Sequence, residues 1–476
     1  MQRKVKIRTV ILVAVILLVV AGAAHMWLHA TPLYTLPAAP QTPDCVTSAP
    51  DGDVVVGLAV SGGGSRAALY AAAGLEALAK VRVGPERRSL LEHVSYISSV
   101  SGGSLASSYF AVKKPIRETP ILTQMGAMTE EYQAFFTNFK KDMESDFESL
   151  LMRRQILGLR WFNPAWSAWS LFEIVDEYLG GMRFGELAKR EAHGDSPHLL
   201  INTTLYNNGR RFLVSTVPRE DSRYDPFPRL DQLPGARKID EASERILRAR
   251  WEMLLSVTPE DLKLDVCRVR VAAAVAGSMS FPPVVGPISF RVEGQDSYWH
   301  VGDGGLADNT GAESLLMVFL KKLQENKARR ALVILLDSSF PFSIGGEALN
   351  HQAEGFTFLN YDFSRIPSIM EERATAYRTW FFRVAQRLGL VSDKLTLVVL
   401  RHTDAEWRED LSDLPDSCRK EGKWKTPKEV IGHLAGIPTR LWLASICDRD
   451  LALAAAAKVV AQNEGKLRNV FETVSP

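Results

Sequence analysis

An excess of charge of either sign is missing from this sequence. Lys and Arg number 57 against 55 Asp and Glu, a formal net charge of +2 over 476 residues, so there is no basic footprint for nucleic acid and none is expected as a partner. Cysteine is scarce as well. Cys45, Cys267, Cys418 and Cys447 lie far apart without a CxxC spacing, which argues against a metal or redox motif, and neither metal nor cofactor is expected. In an exported chain these thiols can pair, with Cys418–Cys447 the least surprising bridge, but connectivity is not readable from spacing. Internal repeats are missing, and so is any low-complexity tract outside one linker. What is present is ordinary for a folded protein: 46% hydrophobic and 24% charged residues supply a core for one or two domains.

The N-terminus departs from that average. "MQRKVKIR" carries Arg3, Lys4, Lys6 and Arg8 and precedes the apolar run "TVILVAVILLVVAGAA". Such a run lies between a secretory h-region and a membrane span of about 20 residues, and Ala21-Gly22-Ala23 has the small side chains of a cleavage site. Residues 1–30 therefore read as a membrane anchor or a signal segment. With the four cations kept cytoplasmic, the rest of the chain is expected on the exported, periplasmic side, held by a single N-terminal helix or secreted after cleavage. Residues 31–53, rich in Pro and small polar residues, read as a linker.

From residue 54 one local grammar occurs twice. "DVVVGLAV" leads through "SGGGS" into "RAALYAAAGLEALAKV", and "HVSYISSV" leads through "SGG" into "SLASSYFAV". Strand, tight turn and helix in succession predict an α/β fold with a mainly parallel sheet and crossover helices. Further candidate strands are "PHLLINTTLYN", "RRFLVST", "VRVAAAVAG", "RALVILLDSS" and "KLTLVVLR". Within the 54–476 domain, residues 113–190 read as a helical, aromatic-rich insertion and 340–476 as a C-terminal helical extension ending in a packed helix. In the insertion Phe162, Trp166, Trp169 and Phe172 fall at helical spacing. That stripe suits either a cap dipping into lipid headgroups or a face buried against the domain.

Chemistry concentrates at the two turns. Ser101 has small neighbours two positions away on each side, Ser99 and Gly103, as a nucleophile elbow between strand and helix requires. Ser104 offers a rival match but lies where the helix is already running, so its hydroxyl suits capping or packing. Gly62, Gly63 and Gly64 can present backbone N–H groups to a developing oxyanion, and Arg66 either holds that loop or meets an anionic headgroup. A phosphate site is the competing use, but the stretch lacks the GK[ST] of a P-loop. The base is less obvious. Of nine histidines the nearest in sequence is His93, and His300 lies in "WHVGDGGLADNTG". That segment also holds Asp303, a carboxylate that can take the serine proton directly if partial desolvation raises its pKa.

Together "GGGSR", "SVSGG" and "DGG", in this order over Val54 to Asn309, resemble the patatin-like phospholipase family. "INTTLYNNGRRFLVS" is similar to its central strand pair, "AAAVAGSMSFPPV" to its Ala-Ser…Phe-Pro-Pro segment, and "DGGLADNTG" to its aspartate motif. The departures are Ser99 for a Gly and Thr310-Gly311 where the family often has Asn-Pro. The resemblance implies a three-layer α/β/α fold, Ser101 as nucleophile, Asp303 as base, Gly62 to Gly64 as oxyanion loop and Arg66 at the family's basic position. It also implies metal-free hydrolysis of glycerolipid acyl esters through an acyl-enzyme, with lipid and membrane as partners. A transacylase using the same dyad, an inactive membrane-tethered lipid-binding scaffold and a nucleotide-binding protein are the alternatives.

Overall fold

Apolar runs that alternate between two faces have to be covered on both sides. The computed structural model describes residues 2–30, 32–40, 44–158, 160, 163–232, 235, 239–282, 285–339, 373–374, 376–377, 387 and 394–472. The strands are β1 (Leu33–Leu36), β2 (Gly52–Val60), the short hairpin β3 (Arg82–Val83) and β4 (Arg88–Ser89), β5 (Val94–Val100), β6 (His198–Leu205), β7 (Arg211–Val214), β8 (Ile288–Val292), β9 (Tyr298–Asp303), β10 (Ala328–Asp337) and β11 (Leu395–Arg401). The main sheet runs β1-β8-β9-β6-β5-β2-β10-β11, with β7 paired to β6. Its central stretch β6-β5-β2-β10-β11 is parallel, whereas β9 is antiparallel to both β6 and β8.

The helices are α1 (Gln2–His29), α2 (Gly64–Lys80), α3 (Gly102–Lys113), α4 (Glu130–Met143), α5 (Phe147–Leu157), α6 (Pro164–Leu179), α7 (Phe184–His193), the short α8 (Phe227–Leu230), α9 (Glu241–Leu254), α10 (Val271–Ser278), the single turn α11 (Gly305–Asp308), α12 (Ala312–Gln324), two unnumbered helices, Asp416–Glu421 and Pro427–Gly436, and the C-terminal α13 (Ile446–Glu472). Strand alternation sorts their partners. Val56, Leu58 and Val60 of β2, with Leu332, Ile334 and Leu336 of β10, share a core with α2, α3, α10 and α13. Val55 and Ala59, with Ala331, Val333 and Leu335, face Leu315 and Phe319 of α12. Helices therefore cover both faces of the sheet, giving the three-layer α/β/α arrangement.

Three elements differ from the sequence reading, the first being β1, which lies within the stretch read as a linker, 31–53, yet pairs with β8 at the edge of the main sheet. "VRVAAAVAG" is not a strand but α10, because its four alanines favour helix more than its alternating valines favour strand. The C-terminal region is not only helical, since β11 forms the sheet edge beside β10. Disulfides join Cys45 to Cys267 and Cys418 to Cys447. Among the described residues no helix is long and apolar enough to cross a membrane. The side chains of residues 1–12, and with them the front of the N-terminal apolar run, lie outside the described residues; those of Val13 to Val20 are exposed.

The aromatic stripe of α6 is half-buried. Trp166 stacks on Trp27 with ring centroids 5.8 Å apart, and Trp169 stacks on Tyr34 at 4.3 Å. Phe172 meets Tyr34 edge-on at 5.4 Å. These rings pack on Trp27 near the end of α1 and on Tyr34 of β1 and do not face solvent as a free cap; Phe162 lies outside the described residues.

Candidate active site

β5 ends at Val100 and the chain reverses within one residue. Ser101 sits at φ 51°, ψ −125°, a conformation that L side chains rarely adopt, and α3 begins at Gly102. Several contacts hold that turn. The Ser101 N–H donates to Ser278 Oγ (2.8 Å), and Ser278 Oγ donates to the Asn202 carbonyl (2.6 Å). With that proton committed, the Ser104 hydroxyl 3.0 Å away is the donor to Ser278 Oγ. Ser104 is fully buried in this role. Gly102 has no room for a side chain, because a Cβ there would fall on the Gly64 carbonyl oxygen.

Sheet register brings Asp303 to the serine. Val100 pairs with Asn202 across β5–β6, and Thr203 pairs with Asp303 across β6–β9. Positions 101 and 303 therefore flank residue 203, about two interstrand spacings of about 4.8 Å apart at the backbone, within reach of facing side chains. The Ser101 side chain lies near enough to the Asp303 carboxyl to lower its pKa. Asp303 is 2% exposed. Burial pushes its carboxyl up to about 7, while the Gly305 N–H on Oδ1 (2.7 Å) and the nearby Ser101 side chain act in the opposite direction. Its backbone is fixed too: the Asp303 N–H donates to the Ser280 carbonyl (2.9 Å), and Thr204 Oγ1 donates to the Asp303 carbonyl (2.8 Å).

The glycine loop follows β2, the strand next to β5, with Val60 paired to Ser99. Gly63 and Gly64 have φ of 141° and 62°, a region that favours glycine. Not all three glycines are available to an oxyanion. The Gly62 N–H is donated to the Asn309 carbonyl at 2.8 Å, whereas no carbonyl among the described residues accepts from Gly63 or Gly64. The trailing Asn of "DGGLADN" thus ties the aspartate segment to the glycine loop and removes Gly62 from the expected donors.

Arg66 also departs from one of its expected uses. It is fully buried, and its guanidinium donates to the carbonyls of Ser338 (Nε, 3.0 Å) and Ile437 (Nη1) and to Thr439 Oγ1 (Nη2, 3.4 Å). A buried guanidinium held this way clamps the loop to the ends of neighbouring segments and does not meet a headgroup.

The histidines are elsewhere. His93 precedes β5, about 26 Å from the elbow at about 3.3 Å per residue, and packs on Phe471. His300 points to the sheet face opposite Asp303, where its Nδ1 is 2.8 Å from Ser289 Oγ. Among the described residues no group of three or more His, Cys, Asp or Glu side chains could hold a metal ion.

Two residues that position the site were not singled out from sequence. Ser278, inside "AAAVAGSMSF", braces the elbow amide. Asn202, in a strand that is buried throughout, donates to Ser98 Oγ (2.9 Å) and the Ser99 carbonyl (3.1 Å) and accepts from Ser314 Oγ (2.5 Å). An Asn among apolar strand residues was the available signal, since a buried amide needs partners.

Among solved structures the chain is similar to human GIVD cytosolic phospholipase A2, at 14% identity and a TM-score of 0.41 over 88% of this chain and 60% of that one. It is also similar to VipD from Legionella pneumophila, at 14% identity and a TM-score of 0.19 over 64% and 54% of the two chains. The chain thus spans about 60% of the length of the human enzyme. No curated protein matches. The family model for patatin-like phospholipases matches residues 58–316, more than half of the sequence, and the chain belongs to the patatin-like phospholipase family.

Proposed function

We propose that the protein is a serine acyl hydrolase that cleaves acyl esters of membrane lipids through a Ser101–Asp303 dyad. The observation that carries this reading is a serine held in a strained turn that sheet register places beside a buried carboxyl, whose pKa burial pushes up to about 7. A carboxylate poised there is a competent base near neutral pH, and a proton it accepts is easily returned to a leaving alkoxide.

Ser101 Oγ attacks the ester carbonyl as its proton passes to Asp303. The N–H groups of Gly63 and Gly64, at the N-terminus of α2, stabilise the oxyanion. Collapse of the tetrahedral intermediate releases the alcohol, which takes the proton from Asp303. Water then attacks the acyl-enzyme with Asp303 again as base, releasing the fatty acid and restoring Ser101.

The domain works, in this proposal, on the exported side of a membrane, tethered by α1. Two disulfides suit an oxidising compartment, and the exposed Val13 to Val20 suit lipid better than water. The test is lipid-product analysis of purified protein on mixed phospholipid vesicles. Wild type is expected to release fatty acid and lysophospholipid, and Ser101→Ala none. Equal release by both proteins would overturn the dyad, and acyl transfer to a lipid alcohol in place of water would make the protein a transacylase.

A further inference from the structure

We infer that the exposed face of α5, formed by Leu150, Met152, Arg153, Ile156 and Leu157, rests on the same phospholipid bilayer that α1 enters, and that Ser101 draws its acyl esters from that bilayer. This rests on the acyl-hydrolase reading above and adds where the substrate comes from.

Three features meet at the first turn of α6. One is the end of α1: Asn163 Oδ1 caps α6 by accepting from the Ala165 N–H (3.1 Å), and its Nδ2 donates to the carbonyls of Trp27 (3.0 Å) and Ala30 (2.6 Å). The stacked pair Trp27–Trp166 reinforces that tie. The second is the end of α5, where Gln155 Nε2 donates to the Trp166 carbonyl (3.0 Å) and to Ser170 Oγ (2.8 Å). The third is the catalytic end of α10. Beyond Ser278 and Ser280 the chain folds back, Val285 N–H donating to the Phe281 carbonyl (3.2 Å), and Gly286 N–H donates to the carbonyl of Pro164, the first residue of α6 (2.9 Å). At its other end α10 is bonded to Met182, just past α6, through the Val271 N–H (2.9 Å). The two helices are therefore antiparallel, and the elbow, the exit of α1 and the end of α5 lie at one end of the molecule.

α5 has the composition such a location requires. Phe147 and Leu151 are buried against the domain, while Leu150, Met152, Ile156 and Leu157 are 36%, 62%, 48% and 72% exposed. Helical spacing puts these four on one arc with Arg153. Arg153 has no acidic partner among the described residues, whereas Arg154 is turned toward Glu173 and Glu177. An arc of Leu, Met, Ile and Arg matches an interface between acyl chains and anionic headgroups. The exposed apolar run of α1, in which Leu17 and Leu18 are 63% and 73% exposed, leads to the same start of α6 that holds the end of α5, and that shared location favours lipid over a second copy of the chain.

The test uses the full chain reconstituted into vesicles of phosphatidylcholine and phosphatidylglycerol. Labelled lipid is placed either in the protein's own vesicles or in separate, protein-free ones. Hydrolysis confined to the protein's own vesicles is expected, and equal hydrolysis of both populations would overturn the proposal. In parallel, Met152→Ser combined with Leu157→Ser is expected to lower hydrolysis of vesicle lipid about tenfold while a water-soluble short-chain ester is cleaved as by wild type. Unchanged vesicle hydrolysis in that variant would also overturn it. Failure of wild type to cleave the soluble ester would instead count against the dyad, so the two failures are distinguishable.

Discussion

The two strand–turn–helix units that open the domain place a serine beside glycines, and only one of those serines is aimed at a proton acceptor. Ser61, after β2, is fully buried; its hydroxyl accepts from the Ser338 N–H (2.8 Å) and donates to the Gly62 carbonyl (3.2 Å). Ser101, after β5, stands at φ 51° with its side chain beside the buried Asp303 carboxyl. The difference arises in the neighbouring strand. β10 offers Ser61 a backbone amide, whereas β9, two strands from β5, delivers a desolvated carboxylate to Ser101. A serine in a glycine turn is structural or reactive according to what the nearby strand ends present.

The largest test of that contrast is to remove each hydroxyl in turn. Ser101→Ala is expected to lower kcat/KM on a short-chain ester by at least about a thousandfold, as for other lost nucleophiles. Ser61→Ala is expected to stay within about tenfold of wild type and to lose about 1 kcal/mol of stability with its hydrogen bonds. Equal activity losses would erase the distinction.

Gly102→Ala probes the seam between the two units. Its new methyl must displace backbone at Gly64, and about a hundredfold loss of kcat is expected, with a chain that still melts cooperatively. Wild-type kcat would show that the loop does not need this close approach. Smaller again is Ser278→Ala, which leaves the elbow amide without its acceptor; kcat is expected to fall about tenfold with KM unchanged, and a rise in KM alone would place Ser278 in substrate binding.

The smallest effect is on stability. The folded-state pKa of Asp303, about 7, lies above the ordinary carboxyl value of about 3.9. The folded protein therefore holds this proton more tightly than the unfolded chain, and stability from this group is complete below pH about 4 and is lost as pH rises toward 7. Asp303→Asn removes that loss, so its Tm gain over wild type is expected to be larger at pH 8 than at pH 4; a gain independent of pH would contradict a buried, titrating carboxyl.

What was legible in the sequence was what depends on neighbours along the chain. The strand–turn–helix grammar around Gly62 and Ser101, the strands β2, β5, β6, β10 and β11, and the "DGG" ending of β9 all lie within short windows. What was missed depends on tertiary partners. The guanidinium of Arg66 reaches carbonyls at Ser338 and Ile437, and the Gly62 amide is taken by Asn309, pairings hundreds of residues apart that no local pattern records. Cys45–Cys267, with a separation of 222 residues, is hidden for the same reason, whereas Cys418–Cys447, 29 apart, was the nearer guess. α10 departs from the strand reading because Val269, Val271 and Val275 fall on one face of a strand pattern until the helix propensity of its alanines and packing on α6 decide otherwise.

The most direct test is the pH dependence of Ser101 acylation by a fluorophosphonate ester. The rate is expected to rise through a midpoint near pH 7 in wild type as Asp303 loses its proton, to keep that midpoint in His300→Ala, and to be lost in Asp303→Asn. A near-normal rate in Asp303→Asn, or a midpoint abolished by His300→Ala, would show that the serine proton goes elsewhere.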